Sequence, residues 1–300
     1  MIWIVLILLV VLIVFFVAWR LLQLSINPKR FTTLESMEHE KAKGNLEGYD
    51  ALYKEEYIIK SYDNYELHVT YVPNDSDRFV IITHGHTSTK WSSIKYLMMY
   101  RKLGYSAVIY DTRNHGDNKR GYITLGLNES KDLLEVIKDT RSKYGEDIYL
   151  GLHGESMGAA ISNMVLKYKP EVEFVVSDCG YADFVTLAKT IAKSKYHMAE
   201  PIADLGNLLC KMTYKFDLNE AKPIDVIRNN YVPICFIHGD SDSLIDKKNA
   251  EMMYKENPGY KELHMFEGAQ HAQSYSSDQV KYTKIIDEFL NKVEGISQQT

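Results

Sequence analysis

Three short stretches hold residue types that together could break an acyl bond. In GLHGESMGAA, Gly151 to Ala160, one serine sits two residues after one glycine and two before another, at the junction of an apolar run and a small-residue run. A strand that turns sharply into a helix presents such a serine on strained backbone, and side chains at the two glycine positions would collide with neighbouring backbone. Ser156 is therefore the candidate nucleophile, with a helix-capping serine as the alternative. A hydroxyl needs a base, the base needs an orienting acid, and the developing oxyanion needs donors. IHGDSDSLID offers Asp240, Asp242 and Asp246 after an apolar run that ends near His238. Asp246 reads better as the cap of a helix starting at Lys247. Asp242, beyond the turn that Gly239 permits, is the expected acid, with Asp240 and the more distant Asp178 as rivals. FEGAQHAQSY places His271 in a loop directly after the last expected strand, where it is the expected base, whereas His264 lies inside that strand. The expected oxyanion donors are backbone N–H groups: that of Met157, at the start of the helix after the serine, and that of His86, beside Gly85 in IITHGHTS. The His86 side chain is assigned no chemical role.

These residues need a frame that brings them to one edge. FVIITHG, SAVIYD, IYLGLHG, EFVVSD and VPICFIHG are short, continuous apolar runs, the pattern of strands buried on both faces of a parallel sheet. Helical periodicity fills the intervals, notably 91–103, 130–144, 157–168, 247–256 and 278–293. Alternating strand and helix implies a doubly wound α/β sheet, with KELHMFE as its last strand. YIIKSYDNYELHVTYV alternates apolar and polar positions about Asp63-Asn64 and predicts an antiparallel hairpin at one sheet edge. Between Tyr181 and Asn230 the chain is longer than one crossover requires and is punctuated by Pro201 and Pro223, so a helical cap is expected over 181–230.

The chain has 300 residues, a net charge of -5 and scattered Lys and Arg, so nucleic acid is not an expected partner. Cys179, Cys210 and Cys235 are widely spaced and read as free buried thiols. No metal-binding spacing occurs, and His84 with His86 reads as a structural pair rather than a metal site. Ile2 to Ala18 contains no polar side chain, and Leu21, Leu22 and Leu24 extend the run past Arg20, which can snorkel. A single membrane-spanning anchor over 1–24 is expected, followed by a polar connector over 25–55 and a folded domain over 56–297. A cleaved signal peptide fits less well, because no basic residue precedes the apolar run and FFVAW is a poor cleavage site. Arg20, Lys29 and Arg30 all follow the span, which places the domain on the cytoplasmic side by the positive-inside rule; an extracellular domain on an uncleaved anchor is the alternative. Oligomeric state is not readable.

The segments THGHT, YDTRNHGDN, GLHGESMGAA, IHGDSD and GAQHA together resemble the α/β-hydrolase superfamily, in its serine esterase, lipase and aminopeptidase-like (S33-type) branch, over roughly Tyr57 to Val293. The resemblance implies nucleophile Ser156, acid Asp242 and base His271, in the chain order usual for that fold, and a bracing role for Asp111 and Arg113. It implies an acyl-enzyme mechanism without a cofactor, acting on carboxylic esters of a small-molecule or lipid-like acyl substrate. An amidase or peptidase on the same triad, and a noncatalytic membrane-bound interaction module, are the competing readings. Tyr181, Phe184, Tyr196, Met198, Met212, Tyr214 and Phe216 either line an apolar acyl pocket or simply pack the cap.

Overall fold

The computed structural model describes residues 1–297. Helix α1 (Ile2–Ile26) is followed by α2 (Thr33–Ala42), strands β1 (Glu55–Lys60), β2 (Glu66–Val72) and β3 (Arg78–Thr83), α3 (Ile94–Lys102) and β4 (Ser106–Tyr110). Then come α4 (Glu129–Tyr144), β5 (Tyr149–Glu155), α5 (Met157–Val165), β6 (Phe174–Asp178), α6 (Phe184–Tyr196), α7 (Pro201–Tyr214) and α8 (Pro223–Ile227). The chain closes with β7 (Ile234–Gly239), α9 (Lys248–Glu256), β8 (Lys261–Phe266), α10 (Ser274–Ser277) and α11 (Gln279–Ser297).

The eight strands form one sheet in the order β1-β2-β4-β3-β5-β6-β7-β8. The first two form the antiparallel hairpin and make the antiparallel seam with β4; every pairing from β4 to β8 is parallel. Both faces are buried, which is why the central strands lack polar alternation. Ile81, Leu152, Val175 and Phe236 point to the layer of α4, α5, α8 and α9, while Val80, Ile82, Val176 and Ile237 point to α3 and α11.

Two boundaries differ from the sequence expectation. The N-terminal helix runs two residues past Leu24, and its last turns do not hang free: Ala18, Leu22 and Ile26 are buried, and α1 packs along α7. The stretch 25–55, which joins α1 to the sheet, is itself hydrogen-bonded to the domain. Ile123 N–H donates to Ile26 O (2.8 Å), Phe31 N–H donates to Thr87 O (2.9 Å), and buried Arg30 donates to Asn114 O (2.8 Å). Helix α2 opens with a reciprocal Thr32–Glu35 capping box. Of the segment 181–230, only α6, α7 and the turn Leu218–Glu220 form a cap; α8 packs against α5 and α9 as an ordinary crossover helix. Pro223 starts α8 rather than interrupting a cap helix.

Candidate active site

The turn from β5 into α5 holds Ser156 at φ 58°, ψ -116°, a region a non-glycine residue occupies only when its surroundings enforce it. Enforcement is visible on both sides. A Cβ on Gly154 would land on the Gly158 carbonyl, and one on Gly158 would land on the Thr83 carbonyl. Ser156 N–H donates to Asp178 O at 2.8 Å, fixing the turn to the neighbouring strand.

His271, in the loop after β8, brings Nε2 to 2.9 Å from Ser156 Oγ, and its Nδ1–H donates to Asp242 Oδ2 at 2.7 Å. Asp242 follows β7, where Gly239 is required because a Cβ there would strike the Ala269 carbonyl. Its Oδ1 accepts from the N–H groups of Leu244 and Ile245, each at 2.9 Å. Burial alone would raise the Asp242 pKa, but hydrogen bonds from His238 and His271 outweigh it and hold the group well below the usual carboxylate range. His238 donates Nε2–H to Ile245 O at 2.7 Å and lies 3.3 Å from Asp242 Oδ2, a second imidazole that the sequence reading did not single out.

The rivals for the acid are engaged elsewhere. Asp240 is tied to the Gly268 N–H at 2.8 Å, and Asp246 accepts from the Lys248 N–H at 2.9 Å near the start of α9. Asp178 is buried on the far side of Ser156, where its Oδ2 lies 3.0 Å from the Tyr96 hydroxyl and 2.9 Å from that of Tyr282. Glu155, the residue before the serine, joins the same cluster through Lys95 and through the Tyr96 hydroxyl at 2.7 Å. Burial and the nearby Glu155 carboxylate push the Asp178 pKa up to about 6; for Glu155, burial is outweighed by Lys95, which lowers the value. Sequence reading missed this cluster; its one signal was an acidic residue inside the elbow itself.

The loop after β3 lies against Ser156: a Cβ on Gly85 would be 3.4 Å from the serine Cβ. Among the described residues no acceptor takes the backbone N–H of His86 or of Met157, so both donors remain available to an oxyanion. The His86 ring donates Nε2–H to Ser25 O at 2.8 Å, joining this loop to the last turn of α1. His84 is held between the Gly85 carbonyl (2.8 Å) and the Thr112 N–H (3.0 Å). Asp111 accepts from the Lys90 N–H at 2.8 Å, and Arg113 bridges Asp63 and Asp132, bracing the hairpin turn against α4.

In front of Ser156 opens a cavity of about 360 Å³. Tyr181, Phe184 and Tyr196 line it; Met198, Met212, Tyr214 and Phe216 do not. Met212 faces outward, and Tyr214 packs on α1 instead: it stacks on Trp19 (centroids 5.8 Å apart), lies near Phe216, and accepts from Gln23 at 2.8 Å. For those four the packing alternative holds, and part of the cavity wall comes instead from Ala18, Leu21, Leu22 and Leu24 of α1.

A mostly parallel sheet flanked by helices, with a serine elbow after β5, a carboxylate after β7 and an imidazole after β8, defines an α/β-hydrolase of the serine hydrolase class. The family model for the prolyl oligopeptidase family, peptidase S9, matches residues 91–296, and the chain belongs to that family. The superfamily resemblance thus stands, with S9 as the family within it. The chain is 28% identical to the uncharacterized protein YqkD of Bacillus subtilis (strain 168) over 271 residues, 88% of this chain and 89% of that one. Among solved structures it is similar to the Pyrococcus furiosus esterase Pf2001, with TM-score 0.64, 25% identity, and coverage of 81% of this chain and 93% of that one. It shares its fold with the Pyrococcus horikoshii acylaminoacyl peptidase, with TM-score 0.61 and 17% identity, covering 81% of this chain but only 41% of the peptidase.

Proposed function

We propose that the protein is a membrane-anchored carboxylic ester hydrolase working through a Ser156–His271–Asp242 triad. The observation that carries this reading is the hydrogen-bonded line from Ser156 Oγ through His271 to Asp242 at the floor of an apolar cavity. His271 Nε2 takes the Ser156 proton as Oγ attacks the ester carbonyl, and Asp242 stabilises the imidazolium that forms. The His86 and Met157 N–H groups receive the oxyanion. Collapse of the tetrahedral intermediate releases the alcohol, protonated by His271, and leaves an acyl-Ser156. Water, deprotonated by His271, then attacks that acyl group and frees the acid and the serine.

The cavity favours ester cleavage over the removal of residues from a free peptide N-terminus. No carboxylate lines it among the described residues, so nothing there would pair with the ammonium of a free peptide N-terminus. The similar esterase from Pyrococcus furiosus points the same way. Helix α1 is long and apolar enough to cross a membrane, a test that a signal sequence also passes. Retention as an anchor is supported by the buried Ala18, Leu22 and Ile26, which cleavage would strip from the domain. Arg20 and Lys29 on the flank favour a cytoplasmic domain; Arg30 is occupied by backbone carbonyls and contributes less to that argument.

The test is hydrolysis of p-nitrophenyl butyrate and of butyryl p-nitroanilide by the full-length protein in detergent. The reading expects ester turnover that Ser156→Ala removes, with the anilide slower by about a hundredfold or more. Equal turnover of the anilide would favour a peptidase, and ester turnover that survives in Ser156→Ala would remove the proposed nucleophile.

A further inference from the structure

The anchor of a tethered enzyme need only hold the domain near a surface, and a cavity for soluble substrates need not involve it. Here the two are one structure. Ala18, Leu21, Leu22 and Leu24 line the cavity in front of Ser156, and the last turn of the same helix is hydrogen-bonded through Ser25 O to the His86 ring. The opposite wall is the cap, and α1 lies directly against α7 at Gly206, where a Cβ would meet Ala18 O at 3.6 Å and Leu22 Cβ at 4.0 Å, ordinary packing distances.

The depth of the helix in a bilayer follows from its length. Its exposed part, Ile2 to Phe16, is 15 residues, or about 22 Å at the α-helical rise. A hydrocarbon core of about 30 Å needs about 20 residues. The shortfall is made up only if the apolar core extends to about Leu21 or Leu22, the turns that pack against α7. Trp19, Tyr122 and Tyr214 form an aromatic group at that level, with Tyr122 and Tyr214 centroids 4.2 Å apart, as expected where a protein meets the headgroup layer. Leu208 and Met212 on α7 are also exposed. Leu24, which lines the cavity, is itself half exposed. The mouth of the cavity therefore sits at the membrane surface, with hydrocarbon on one side and Ser156 on the other.

We infer that the last two turns of α1 form the wall of the acyl subsite, and that the substrates are long-chain acyl esters drawn laterally from the bilayer leaflet rather than from water. The inference rests on the ester hydrolase reading above and adds to it the source and class of the substrate. The apolar chain slides between α1 and the cap helices while the ester group stays near headgroup level, where it meets Ser156 and the His86 and Met157 donors. Leu21 and Leu24 set the accepted chain length.

The test uses full-length protein reconstituted in phosphatidylcholine vesicles, with 4-methylumbelliferyl palmitate placed in the same vesicles or in separate protein-free ones, and 4-methylumbelliferyl butyrate supplied from water. Palmitate in the same vesicles should be cleaved at least tenfold faster than palmitate in separate ones. Leu21→Trp should lower the palmitate-to-butyrate ratio of kcat/KM at least tenfold; should that variant not fold, Leu24→Trp at the half-exposed mouth gives the same reading. Equal rates from the two vesicle populations, or an unchanged ratio in a folded wall variant, would overturn the inference while leaving butyrate hydrolysis and the esterase reading intact. Absence of Ser156-dependent cleavage of either ester would instead remove the esterase reading and this inference with it.

Discussion

The two sides of Ser156 are built on different principles. Behind it the elbow rests on a buried polar cluster, Lys95, Tyr96, Glu155, Asp178 and Tyr282, and on glycines that leave the backbone one path. In front of it the cavity is apolar and is assembled from α1 and, far along the chain, the consecutive helices α6 and α7, with α7 packed against both of the others. The back fixes where atoms sit to within tenths of an ångström, as acyl transfer requires. The front fixes only what shape of chain can approach, and it does so with the end of a helix long and apolar enough to cross a membrane. Reactivity and selectivity are thus held by separate parts of one fold and should respond to different mutations.

The largest effects should come from the reacting atoms. Ser156→Ala should lower kcat by about 10⁴-fold or more on any ester, while Ser156→Gly, equally inactive, should be more stable by about 1 kcal/mol because glycine adopts the positive φ without strain. A Tm measurement in detergent checks the second half; a Ser156→Gly variant less stable than wild type would mean the elbow is not strained. Asp242→Asn should cost about 10⁴-fold in kcat with KM little changed, since the His271 tautomer is no longer enforced. A loss under tenfold would show that Asp242 does not orient the imidazole.

These predictions concern the half of the site that was legible in the sequence. Glycine spacing, strand ends and chain order can be read directly, and Ser156, Asp242 and His271 each follow a parallel strand, β5, β7 and β8, at the same sheet edge. The front was not legible. An apolar run such as Ile2 to Leu24 reads as a span whatever its far end touches, so the contact of Ala18 and Leu22 with α7 leaves no mark in composition or periodicity. For the same reason the sequence left Tyr214 open between lining a pocket and packing the cap, although it grips Trp19 and Gln23. The Asp178 cluster escaped notice because its partners come from α3 and α11, on the opposite face of the sheet from α5.

Smaller effects sharpen the contrast. The Asp178 pKa is raised from 3.8 to about 6 in the folded protein. Between about pH 4 and pH 6 the folded state therefore holds a proton that the unfolded chain has released, and this group makes stability fall as pH rises through that window. Asp178→Asn should show a smaller fall in Tm from pH 4 to pH 6.5 than wild type; parallel curves would mean that the cluster does not hold Asp178 protonated. On the front side, Tyr214→Phe deletes one partly buried hydrogen bond to Gln23 and should cost about 1 kcal/mol. Thermal unfolding should register that cost, with butyrate kcat unchanged; a change in butyrate kcat would show that the two halves are coupled.

The central claim is that one hydroxyl is made nucleophilic by groups converging on it from two other strand ends. Reaction of the full-length protein with a fluorophosphonate, followed by mass mapping of the modified peptide, tests it directly. The account predicts a single adduct, on Ser156, which forms far more slowly in His271→Ala. An adduct on another residue, or labelling of Ser156 at the same rate without His271, would contradict it.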